Sequence, residues 1–316
     1  MRRFHILLLL LAVGAVAGTW YWLHHRPRGM VAVQVTRDIW PPAITPARKR
    51  LLAQTACGSS PVQVDGKGEI TCSVCPAGSD FAPSPGTQPP GDMDSWKVDS
   101  VLFGHFTAPD AHEAVLHVNG CESHANSFGG GFLLRQAGTQ WQTVRYMHGM
   151  TGGGENSCQT LRWGNGRDVL LCQVGDMHQG VASDGVELIG VQESAPAKQP
   201  SWPNGTLISV NDDSSNCEDP YPAKNVHVGS IAAVKQLPPA SPGGLQDVQV
   251  SVKLGMASLP KGSQQCPAVE QKTYTVTFHS GGGRLAAAGG APALQALVPK
   301  YDENLTIAGT VTPMQF

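Results

Sequence analysis

Asp247-Val248-Gln249-Val250-Ser251-Val252-Lys253-Leu254 decides the fold class. Val248, Val250, Val252 and Leu254 fall on one side of an extended chain, and Gln249, Ser251 and Lys253 on the other. That period of two is the mark of a half-buried strand. Working outward, strand-like runs recur at 114–118, 131–135, 141–146, 158–163, 168–174, 185–191, 207–210, 226–235, 273–279 and 306–311. Across 96–254 no helical pattern of about ten residues separates them, as parallel crossovers would require. The 37 Gly and 24 Pro suit short strands joined by turns. The expectation is an all-β, antiparallel body, propeller-like or sandwich-like, built of about three repeated β units with minor helical trim.

Two helices are expected. One opens at Thr45 as N-cap, with Pro46 in its first turn, and runs to Gln54. The other covers 292–298, with Pro292 at its start and Pro299 as its stop.

A repeated step of an acid followed by apolar residues occurs at Glu113-Ala114-Val115-Leu116, Asp168-Val169-Leu170-Leu171 and Asp247-Val248-Gln249-Val250. Its spacing is irregular, and any sandwich also carries strands at such intervals. Val101-Leu102-Phe103-Gly104-His105-Phe106, followed by Glu113-Ala114-Val115-Leu116, resembles the FG-GAP/VCBS-type repeat of extracellular β-propellers. Gly164-Asn165-Gly166-Arg167-Asp168-Val169-Leu170-Leu171 is similar to the same loop-to-strand step, so the resemblance covers roughly 98–190. It implies adhesion or ligand display. That family's calcium loop alternates Asp residues, which these steps lack, so calcium is not carried over.

At the N-terminus, Phe4-His5-Ile6 and five leucines lead through Ala12 and Gly18 to Thr19-Trp20-Tyr21-Trp22-Leu23. About 20 apolar residues suffice to cross a bilayer. The interfacial aromatics favour an uncleaved anchor, whereas Ala15-Val16-Ala17 supplies a small-x-small site for cleavage after Ala17. The first reading is a membrane-anchored chain with its body in the periplasm or outside the cell; the second is a secreted one. The expected division is 1–28 as anchor, 29–95 as a Cys-containing segment with a Pro-rich linker, and 96–316 as a disulfide-stabilised β domain. A net charge of −2 with 15% charged residues offers no footprint for nucleic acid or anionic lipid.

Export makes Cys57, Cys72, Cys75, Cys121, Cys158, Cys172, Cys217 and Cys266 disulfide candidates. In Cys72-Ser73-Val74-Cys75-Pro76, proline stands where a haem-attachment motif needs histidine. No second pair with zinc-ribbon spacing exists. Two bridges leaving one tight loop for different partners is the plainer reading. Cys158 and Cys172 permit a register count. A hairpin with a Gly164-Asn165-Gly166 loop sets Trp163 against Arg167 and Cys158 against Cys172, while a two-residue turn would set Cys158 against Gln173.

Candidate metal ligands crowd 105–124: His105, His112, Glu113, His117, Glu122 and His124. Imidazole and carboxylate suit zinc or copper, although surface or hydrogen-bonded histidines would look the same. Asn211-Asp212-Asp213-Ser214-Ser215-Asn216 has oxygen ligands suited to weak calcium binding, or is simply a polar turn. Neither a Gly-x-Ser-x-Gly elbow nor a phosphate-cradling Gly-rich loop with Lys is found. The leading functional expectation is a membrane-anchored protein with a structural or ligand-binding role toward an unknown protein or small molecule. The alternative is a secreted metal-dependent enzyme using the 105–124 cluster.

Overall fold

The computed structural model describes residues 40–83, 94–123, 129–150, 158–193, 204–216, 225–238, 245–259, 266–281, 284–301 and 304–311. The apolar run at 4–23, its cleavage motif, His124 and Cys217 lie outside them. Among the described residues no helix is long and apolar enough to cross a membrane.

Among the described residues every strand pair is antiparallel, and three sheets result. The first sheet is a six-stranded meander in chain order: β1 (Gln63–Val64), β2 (Ile70–Cys72), β3 (Trp96–Gly104), β4 (Glu113–Gly120), β5 (Gly129–Ala137) and β6 (Gln140–His148). The middle sheet comprises β7 (Cys158–Arg162), β8 (Asp168–His178), β9 (Val181–Ile189) and β10 (Asn204–Asp212), with β15 (Leu305–Ile307) on the edge of β10. The third runs β11 (Asn225–Leu237), β12 (Asp247–Ser258), β13 (Lys272–Gly281), β14 (Arg284–Ala288) and β16 (Thr310–Val311).

The middle sheet is apolar on both faces. Leu161, Val169, Leu171, Val186 and Leu188 join Val248, Val250, Val252, Val276 and Phe278 of the third sheet in one core. The alternate residues Cys158, Leu170, Cys172 and Ile189 join Val115, Leu133 and Met147 of the first sheet in another. Strand alternation therefore feeds two cores from one set of strands. This explains why Val169-Leu170-Leu171-Cys172 reads as an unbroken apolar run.

The opposite face of the first sheet is covered by α1 (Pro46–Cys57). The Thr45 hydroxyl caps it by accepting from the Arg48 amide at 3.2 Å, and Gly58 ends it at φ 69°. Leu52 and Ala53 bury completely, and the Thr143 hydroxyl of β6 donates to the Thr55 carbonyl at 3.0 Å.

The described residues from Pro41 onward form one compact unit. Pairing of β2 with β3 and the Cys75–Cys121 disulfide both span the Pro-rich stretch. The late helix is two short turns, α2 (Ala291–Gln295) and α3 (Val298–Tyr301). Pro299 stands inside α3, because an N-terminal turn has no use for the amide that proline lacks.

The Gly164–Gly166 loop sets the Trp163 amide on the Arg167 carbonyl at 2.8 Å and Cys158 opposite Cys172, with Cα atoms 4.0 Å apart and the sulfurs bonded. Cys72 bonds to Cys57 and Cys75 to Cys121, so the tight loop sends its two bridges to different partners. Cys266 is also disulfide-bonded. Such bridges persist in an oxidising compartment, the extracellular space or the periplasm.

Candidate metal centre

Tyr146 and His148, two apart on β6, share one face near the rim of the first sheet. The β5 residue opposite His148 is Gly130, whose added Cβ would collide with the Tyr146 hydroxyl and the Met147 carbonyl. A glycine there is what leaves room for the tyrosine. Trp96, Phe132 and Tyr146 form an aromatic ladder, with ring centroids 5.2 and 4.9 Å apart, that fixes the tyrosine ring.

β4 ends at Gly120, and Cys121 turns the chain at φ 63°, presenting Glu122 to that rim. The Cys75–Cys121 bridge draws in the turn that follows Cys75. There the Ser79 hydroxyl donates to the Pro76 carbonyl at 2.8 Å and the Phe81 amide to the Cys121 carbonyl at 3.2 Å. Asp80 rides on this turn. Three chain segments thus converge.

The ligand-capable atoms of Asp80, Glu122 and His148 all lie within 4.8 Å of one another. Nε2 of His148 is 3.0 Å from Oδ1 of Asp80 and 3.2 Å from Oε2 of Glu122. The surroundings are organised too. The Tyr146 hydroxyl donates to Oε1 of Glu122 at 2.6 Å, and the Asp80 amide to its Oε2 at 3.0 Å. Ser123 donates to Oδ2 of Asp80 from its amide at 2.9 Å and its hydroxyl at 2.6 Å. Burial raises the Glu122 carboxyl above the usual carboxylate range, opposed by the Tyr146 hydroxyl, the Asp80 amide and the His148 charge. The Tyr146 hydroxyl is pushed well above its ordinary value by burial and by Glu122.

Of the candidates at 105–124 that are among the described residues, Glu122 alone stands in this group. The His105 ring bonds the Ala111 carbonyl at 2.8 Å and lies 5.6 Å from the His112 ring. Glu113 is wholly buried, accepting from Thr107 at 2.6 and 2.8 Å and pairing with Arg135 at 2.9 Å. His117 is held between the Ser100 hydroxyl and the Met150 sulfur, both at 3.1 Å, and burial lowers its pKa to about 4. The polar run before Cys217 uses its acids locally. Asp212 accepts from the Ser214 amide at 3.0 Å, and Asp213 pairs with His227 at 3.0 Å.

Asp80 and His148 escape a reading of the sequence. Asp80 sits in what looks like a linker, and His148 ends a strand with no ligand nearby in the chain. The available signal was the Cys75–Cys121 pairing, which places Asp80 beside Glu122 but cannot be deduced by counting cysteines. Comparison with protein-family models, curated proteins and solved structures finds no match for this chain.

Proposed function

We propose that this is an exported, membrane-anchored β protein whose ligand is a divalent transition-metal ion, held by Asp80, Glu122 and His148. The observation that carries the reading is the spacing of those atoms. A tetrahedral ion with bonds of about 2.0 Å places its ligands about 3.3 Å apart. Nε2 of His148 already stands 3.0 and 3.2 Å from the two carboxylates. One imidazole and two carboxylates favour zinc and its neighbours over calcium or magnesium. Tyr146 and Ser123 orient the carboxylates, as outer partners do in metal sites.

The test is calorimetric titration of the metal-stripped full chain with Zn2+. One ion per chain, lost in Glu122→Gln and His148→Ala, supports the site. Equal uptake by both variants rejects it.

Hydrolysis at the same centre is a second reading. The Asp80 and His148 side chains are 28% and 27% exposed, so an ion held there would be reachable by solvent at a fourth position, as in catalytic zinc sites. Turnover of a test ester by the zinc-loaded chain, absent in Glu122→Gln, separates it from simple binding.

The sandwich-like reading is supported by the two cores, each shared by two sheets. Kinship with FG-GAP/VCBS repeats rests on the residues quoted above alone. The anchor rests on the apolar run with its aromatic flank. A reporter that works only in the cytoplasm, fused after Phe316 and found active, would overturn it. A mature N-terminus at Gly18 would select the cleaved form.

A further inference from the structure

We infer that the corner formed by the start of α1 and the β1–β2 turn is a docking surface for an anionic bilayer. It is a groove of about 520 Å³ lined by Ile44, Pro46, Lys49, Arg50, Val64 and Lys67. Its apolar content is unusual for a surface. Ile44, Val64 and the neighbouring Leu51 are 55%, 45% and 52% exposed, three of the six large apolar side chains found exposed among the described residues.

The rim is basic although the whole chain is slightly acidic. Arg48, Lys49 and Arg50 occupy the early turns of α1, where no acid is present. Arg48 donates to the Ala43 carbonyl and Lys49 to the Asp99 carbonyl at 3.3 Å, so the exposed Arg50 and Lys67 are the cations assigned to the external anion. The acids Asp65 and Glu69 have partners on the chain. Asp65 accepts the amides of Lys67 and Glu69, both at 2.8 Å, and Glu69 pairs with Lys97 at 3.1 Å.

Apolar side chains ringed by Lys and Arg are the chemistry of a membrane interface: the former enter the headgroup region while the latter meet lipid phosphate. The site lies some twenty residues beyond the apolar run in the chain. The surface builds on the anchored reading, which supplies only the tether.

Hydrogen–deuterium exchange of the full chain reads the two apart. It is run with nanodiscs of phosphatidylcholine alone and with added phosphatidylglycerol. Slowed exchange over 44–51 and 63–68 with the anionic discs only, lost in the R50E/K67E double variant, is expected. Equal exchange in both discs overturns the docking surface, whatever happens at 4–23. Protection of 4–23 reports the anchor alone. Slowing without lipid that grows with protein concentration identifies a second copy as the occupant and also overturns the inference.

Discussion

The Tyr146 hydroxyl and the buried Glu122 carboxylate are joined by a 2.6 Å hydrogen bond, the short link between β6 and the end of β4. Removing the donor while keeping the ring isolates its contribution. Tyr146→Phe should keep the fold and weaken Zn2+ binding about 10- to 100-fold, the usual cost of losing an outer partner. Calorimetry on the variant checks it; unchanged affinity would place the metal elsewhere.

Gly130→Ala probes the same contact from the facing strand. The new methyl collides with the Tyr146 hydroxyl, so tyrosine and carboxylate must part. Metal affinity should fall further than thermal stability does. Tm and Zn2+ affinity measured on one preparation test this, and an intact affinity would show that the hydroxyl is dispensable.

His117 makes stability depend on pH. Its folded pKa, about 4, lies below the ordinary 6.5 because burial disfavours the charged ring. The neutral ring's contribution is therefore complete above pH 6.5 and is lost as pH falls toward 4. A shift of this size corresponds to about 3 kcal/mol. Urea midpoints across pH 4–7 should fall more steeply for the native chain than for His117→Leu. Parallel profiles would mean that His117 does not titrate this way.

The Cys158–Cys172 bridge closes a short loop within one hairpin. Replacing both cysteines with serine should lower unfolding free energy by about 3 kcal/mol in the chain-entropy account. Urea denaturation measures the loss. Non-reducing peptide mapping of the native chain should join the two peptides, and any other partner for Cys158 would refute the register.

What the sequence reveals follows distance along the chain. The Cys158–Cys172 register was legible because a symmetric Gly-Asn-Gly loop fixes both arms locally. The period of two at Val248 to Leu254 was legible for the same reason. The run at 306–311 looked like one strand but serves two sheets, since β15 joins β10 and β16 joins β14. Nothing in so short a run says which edges are open. The candidate metal centre is the extreme case. Glu122 was recognisable as a ligand type, whereas Asp80 reaches it through a bridge whose cysteines are 46 residues apart.

That divided run has a consequence for how the molecule completes itself. Leu305 to Ile307 forms the outer strand of the middle sheet beside β10, and Thr310 and Val311 that of the third beside β14. Between them the Ala308 amide reaches the Leu207 carbonyl at 3.0 Å, and the Ala287 amide the Gly309 carbonyl at 2.9 Å. A single short ribbon is therefore the seam of two layers. A chain halted before Leu305 would present two raw sheet edges at once, each a template for sticking to its neighbours. Unfinished copies would aggregate more readily than finished ones.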